Sequence, residues 1–148
     1  MAKHFIYLLR VRYSECDAQK VVFNGRYSDY VDIAVGEFMR AVWGDYNELL
    51  KQGFDNQVVS YSINWHGPAH FDEVLACEVS AKHIGNSSFS FEVCFKNHTA
   101  QQPIAMAEIV YVMVNSHTHE KMNIPDNMKL TLKQGASALV VNHAGVDV

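Results

Sequence analysis

Between residues 26 and 43, Tyr27, Tyr30, Val31, Ala34, Phe38 and Val42 recur at the spacing of one helix face, whereas the other strongly patterned stretches mostly alternate with period two. One long helix among strands limits the architecture, because its apolar stripe and the apolar faces of the strands must bury one another. Arg26, Asp29, Asp32, Gly36 and Arg40 take the polar side of this helix, and Gly44 is placed to stop it. Ile33, Val35, Met39 and Ala41 widen its apolar surface, as expected of a helix largely enclosed by other elements.

A first strand is expected over 5–13, where Phe5, Tyr7, Leu9, Val11 and Tyr13 alternate against Arg10, Arg12 and Ser14. After a polar connection containing Asp45, Asn47, Gln52, Gly53 and Asn56, four more are expected over 58–66, 73–84, 88–96 and 104–115. Phe89, Phe91, Val93 and Phe95 mark the core face of the clearest one. Gly67-Pro68, Gly85-Asn86 and residues 97–103 supply the reversals that an antiparallel meander needs. A short helix is expected over 122–133, with Pro125 in its first turn and Asp126 suiting that end of the dipole. Residues 136–148 read either as a frayed, flexible tail or as a segment docking on a neighbouring subunit.

The length of 148 residues suits a single domain over 1–148 of class α+β, an antiparallel sheet wrapped around one long helix. Such a sheet covers its helix with one face only. Its other face, carrying Ser60, Ser62, Glu78, Ser80 and Cys94, is then expected to be completed in a homodimer or homotetramer.

Twelve Lys and Arg against 16 Asp and Glu give a net charge of -4, so there is no basic field to draw in nucleic acid. Cys16, Cys77 and Cys94 are odd in number and lack any C-x-x-C pair, which fits a reducing, cytoplasmic location. The apolar start is broken by Arg10 and Arg12 and does not read as a leader; the apolar run over 104–114 is too short to cross a membrane. The eight histidines offer two close pairs, but Gly67-Pro68 forbids a helix between His66 and His70, and His117 with His119 lacks a nearby carboxylate and cysteine set beyond Glu120. Phosphate loops, serine-hydrolase elbows and zinc-protease motifs are absent from the sequence, so no metal and no cofactor are expected.

Residues 13–27, YSECDAQKVVFNGRY, join the first strand to the helix. With Arg12-Tyr13, Glu15, Asp17, Val21-Val22-Phe23 and Tyr27 in ungapped spacing, this stretch resembles the 4-hydroxybenzoyl-CoA thioesterase branch of the hotdog-fold thioesterases. The resemblance runs along nearly the whole chain, through Pro68 and the turn around Gly85 and Ser88. It implies the hotdog fold and an acyl-CoA thioesterase that releases a carboxylic acid and coenzyme A. Asp17 would be the catalytic carboxylate, as nucleophile or as general base, and the amides of Asn24 and Gly25 at the helix start would face the carbonyl oxygen. Phe23, Tyr27, Tyr30 and Val31 are the implied walls of the acyl pocket. Gly85, Asn86, Ser87 and Ser88 are the implied contacts of the pantetheine arm, with Lys82, Lys96 or Arg26 available to phosphates.

Two positions depart from the family pattern. Lys20 stands where relatives carry glycine, and Asn24 where they carry His or Tyr. Each implied role has a plain structural counterpart: Asp17 as a turn cap, residues 85–88 as a hairpin turn, and the aromatic stripe as core. Hydrolysis of acyl groups on acyl carrier protein and non-catalytic acyl-CoA binding are the alternative functions.

Overall fold

The computed structural model describes residues 4–147. Strand β1 (Phe5–Arg10) is shorter than its alternation implied, because the Glu15 amide closes on the Arg12 carbonyl at 3.0 Å and winds Tyr13–Glu15 into a 3-10 turn. Helix α1 (Arg26–Trp43) fills the expected span and ends where Gly44 takes φ 84°, its amide bonded to the Arg40 carbonyl at 2.9 Å. The polar connection beyond it holds an unexpected short helix, α2 (Tyr46–Lys51), in which Asp45 caps the Asn47 amide. α2 buries only Leu49, and one buried residue leaves no periodicity to read.

Strands β2 (Phe54–Trp65), β3 (Val74–Ile84), β4 (Ser88–Asn97) and β5 (Pro103–Asn115) follow, then α3 (Asp126–Gln134) and β6 (Val140–Asn142). Pro125 stands just before α3 as its cap and not within its first turn. The sheet runs β2-β5-β4-β3-β1-β6, antiparallel except for the β1–β6 pair. Residues 140–142 therefore add to the chain's own sheet, which neither reading of the tail anticipated. The segment covers the outer face of β1 and β3, where Leu8, Val74 and Ala76 pack against Ala144 in a small second cluster.

The main core lies between α1 and the inner face of the sheet. Phe89, Phe91, Val93 and Phe95 are sealed there, as their alternation requires. Tyr27 meets Phe95 and Phe38 meets Phe91 edge to face, with ring centroids 5.6 and 5.3 Å apart. The helix is not enclosed all round, since its own chain leaves Ile33 exposed. Edge strand β2 is also uncovered. Val58 and Trp65 pair with the buried Tyr111 and Ala105 on the core side of the sheet, yet are 52% and 47% exposed.

Candidate active site

The chain between β1 and α1 doubles back at Asp17. The Asp17 amide bonds to the Val21 carbonyl and the Lys20 amide to the Asp17 carbonyl, each at 2.9 Å, and Cys16 bridges Val22. Closing so tight a turn places Lys20 at φ 65°, the left-handed region where glycine is unstrained, a position that would suit the glycine implied by the family resemblance. Asp17 Oδ1 accepts the Gln19 amide at 2.8 Å, the local capping role a turn aspartate commonly plays. Its second oxygen has no protein hydrogen-bond partner among the described residues. Asp17 is exposed in a cleft of about 540 Å³ lined by Tyr13, Cys16, Ala18, Lys20 and Phe71 as well.

The other arm of the turn leads straight into the helix. Phe23 donates its amide to the Glu15 carbonyl at 2.9 Å, Arg26 closes on the Phe23 carbonyl, and α1 begins. Among the described residues the amides of Asn24 and Gly25 donate to no protein acceptor. They are unpaired N–H groups at the positive end of an 18-residue helix, an arrangement that stabilises negative charge on an oxygen. The ring of Phe23 lies over Gly25, where a Cβ would meet its Cε2 at 3.0 Å.

Glu15, two residues before Asp17, has a different task. It is buried and accepts the Arg12 amide at 2.8 Å, Arg12 Nη2 at 2.9 Å and the Tyr30 hydroxyl at 2.8 Å. Burial pushes its carboxyl up. The hydrogen bonds from Arg12 and Tyr30 and the guanidinium charge outweigh that and hold it below the ordinary carboxylate value. A carboxylate so fully engaged is a strut under the loop and not a base. Burial, reinforced by the charges of Glu15 and Asp17, raises the Cys16 thiol, which therefore stays protonated and is a poor nucleophile beside Asp17.

The turn brings Phe23, and with it the start of α1 at Asn24 and Gly25, against Glu15, two residues before Asp17, but none of the three lines the cleft that holds Asp17. Tyr27, Tyr30 and Val31 are core: Tyr27 and Tyr30 are 2% exposed and Val31 is fully buried. Their helical spacing reports packing, and in this chain they do not line the Asp17 cleft. Burial pushes the Tyr27 hydroxyl up to about 12, and burial with the Glu15 carboxylate raises Tyr30, so neither titrates near neutrality.

Gly85, Asn86, Ser87 and Ser88 form the β3–β4 hairpin turn, at the far end of β3 from the Asp17 loop, because Arg10 pairs with Val74 at the other end. Asn86 and Ser87 carbonyls there accept the Ile124 and Met113 amides, which is turn and packing chemistry. The three cations offered for phosphates are engaged as well, Lys82 with Glu108, Lys96 with Glu78 and Arg26 with Asp29. Lys20 on the cleft has no ion pair among the described residues.

Phe71 is the residue sequence reasoning missed. Its signal was a large apolar side chain set between His70 and Asp72 in a turn. Among the described residues no three of His, Cys, Asp and Glu come together to hold a metal ion, and no helix is long and apolar enough to cross a membrane. His70 instead pairs with Glu73 at 3.1 Å.

One long helix against a six-stranded, mostly antiparallel sheet, with its start beside an acidic turn, is the hotdog architecture of thioester hydrolases. The chain belongs to the thioesterase-like superfamily, whose family model matches residues 11–132, and it is by that membership a thioester hydrolase. A protein of Aquifex aeolicus (strain VF5), provisionally named an esterase, is 27% identical over 113 residues, covering 76% of this chain and 86% of its own. A solved structure from Aquifex aeolicus superposes with a TM-score of 0.80 at 25% identity, over 87% of this chain and 99% of that one. Slr0204, a 1,4-dihydroxy-2-naphthoyl-CoA thioesterase from Synechocystis, shares the fold with a TM-score of 0.79 at 17% identity, over 86% and 94% of the two chains.

Proposed function

We propose that the chain is an acyl-CoA thioesterase in which Asp17 acts on the thioester. The observation that carries this reading is an exposed carboxylate on an open cleft, in the same short strand-to-helix connection as the unpaired Asn24 and Gly25 amides. As a general base, Asp17 takes a proton from water. The hydroxide adds to the carbonyl carbon, the C–S bond breaks, and the thiolate leaves with the proton to give acid and thiol. As a nucleophile, Asp17 forms a mixed anhydride and expels the thiolate, and water then hydrolyses the anhydride. On either route the carbonyl oxygen becomes negative beside Asn24 and Gly25, where one well-placed donor contributes about 10²–10³ in rate.

The CoA ester is preferred over an acyl carrier protein because the chain's net charge of -4 gives no basic docking field for an acidic carrier. That the Slr0204 enzyme acts on a CoA ester agrees with this choice. Three free thiols, Cys77 among them fully buried, suit a cytoplasmic setting.

A second copy of the chain fits best along β2. This edge strand exposes Val58, Val59, Tyr61 and Trp65, whereas the outer-face residues Ser60, Ser62, Glu78, Ser80 and Cys94 offer little apolar surface. A homodimer there, or a homotetramer built from it, is the assembly we infer.

The test is thiol release from matched acyl-CoA and acyl-carrier-protein esters. Faster turnover of the CoA ester supports the reading. Turnover of only the carrier-bound ester replaces the substrate, and binding of both without thiol release replaces hydrolysis by a binding role.

A further inference from the structure

Resting on the reading of Asp17 as the reacting carboxylate, we propose that Tyr13 and Phe71 select the acyl group, favouring a ring or a short branched chain over a long straight one. Both line the Asp17 cleft, their rings edge to face with centroids 6.1 Å apart and planes at 85°. They are 84% and 51% exposed. Exposed aromatic surface beside a carboxylate is wasteful for folding and suits a ligand with an apolar part.

The pair is assembled from distant segments by a set of backbone bonds. The Val22 amide bonds to Ala69 at 2.8 Å, the Phe71 amide reaches Lys20 at 3.4 Å, and Val21 bridges His70. On the other side the Asp72 amide bonds to Val11 at 3.0 Å, with Asp72 itself at φ 69°, a conformation that costs a non-glycine residue free energy. The β2–β3 loop is thus stitched along the Asp17 turn from both directions. Its aromatic side chain is left on the cleft and not turned into the core.

The length preference follows from what lies beneath. Tyr27, Tyr30 and Val31, the pocket walls that the family resemblance implied, are sealed against the sheet, and the Tyr30 hydroxyl is held by Glu15. An acyl group at Asp17 therefore meets apolar surface at the cleft wall and not in a tunnel through this chain. An edge-to-face pair presents both a ring face and a ring edge, which a compact ring can use together.

The test compares wild type, Tyr13→Ala, Phe71→Ala and the conservative Phe71→Leu on benzoyl-, isovaleryl-, acetyl- and palmitoyl-CoA. Calorimetric binding of the non-hydrolysable thioethers S-benzyl-CoA and S-ethyl-CoA accompanies it. Phe71→Ala is expected to lose about tenfold or more in kcat/KM for benzoyl-CoA, the usual scale for lost apolar pocket contacts, and to change little for acetyl-CoA. S-benzyl-CoA should weaken by a similar factor and S-ethyl-CoA should not, with Phe71→Leu intermediate in both assays. Equal losses for large and small acyl groups, unchanged S-benzyl-CoA binding, or a wild type that prefers palmitoyl-CoA would overturn the proposal. A wild type that releases no thiol, yet shows the expected binding differences, would overturn hydrolysis and leave the selecting pair standing.

Discussion

The Tyr30 hydroxyl donates to Glu15 Oε1 at 2.8 Å, and through that bond the buried face of α1 holds the loop that presents Asp17. The Glu15 carbonyl also accepts the Phe23 amide, so one residue ties the strand end, the Asp17 turn and the helix start together. The carboxyl that Arg12 and Tyr30 hold below its ordinary value is thus engaged in holding the loop.

Removing the hydroxyl by Tyr30→Phe leaves a buried carboxylate one donor short. Hydrogen bonds to charged groups are worth roughly 1.5–3 kcal/mol, so the variant should unfold at a correspondingly lower urea midpoint with an unchanged slope. The same variant should lose thioesterase activity through a displaced Asp17, with kcat falling more than KM rises.

The pH dependence of stability carries the signature of Glu15. Its folded-state carboxyl lies below the ordinary value of 4.5, so its contribution is present above about that pH and is lost as pH falls through the lower folded value. Thermal melts of wild type should weaken on acidification through that window, and Glu15→Gln should flatten the curve there while lowering stability near pH 7. A variant curve parallel to wild type below pH 4.5 would remove Glu15 from the account.

Lys20 sits at φ 65°, a conformation glycine adopts freely and a β-branched residue resists. Lys20→Gly should therefore stay within about 1 kcal/mol of wild type. Lys20→Val should be destabilised by about 1–2 kcal/mol. Denaturant titration of the pair separates backbone strain from loss of the charge, which both variants share.

Deleting the chain from residue 139 onward strips β6 and the cover from Leu8, Val74 and Ala76. Exposing a side chain the size of Leu8 costs roughly 1.5–3 kcal/mol, so the truncated protein should melt several degrees lower and bind a hydrophobic dye more strongly. An unchanged melting temperature would mean the tail contributes nothing in solution.

Much of this architecture could be read before the structure, because α1 and β4 bury whole faces and so repeat their apolar residues at 3.6 and 2.0. The expectation failed where burial is local or non-periodic. α2 hides one leucine, and β6 adds three residues to a parallel pair whose only signal is a run of valines. The site shows the same division. The acidic turn and helix start lie within a dozen residues and were visible as one motif, whereas Phe71 reaches the cleft only through backbone bonds between segments some 50 residues apart. Tyr27, Tyr30 and Val31 were legible as a stripe, but a stripe cannot say whether it faces a pocket or a packed sheet. Gly85 to Ser88 was legible as a turn, and only the strand register shows it lies at the other end of β3 from Asp17.

The most direct test of the account is the steady-state rate of thiol release from benzoyl-CoA by Asp17→Asn against wild type, with circular dichroism showing both folded. The exposed site and near-isosteric change predict unchanged stability and a loss of at least about 10² in kcat, the contribution of a positioned acid or base. A folded Asp17→Asn variant that turns over within a few-fold of wild type would contradict the assignment of Asp17 and move the chemistry elsewhere on the molecule.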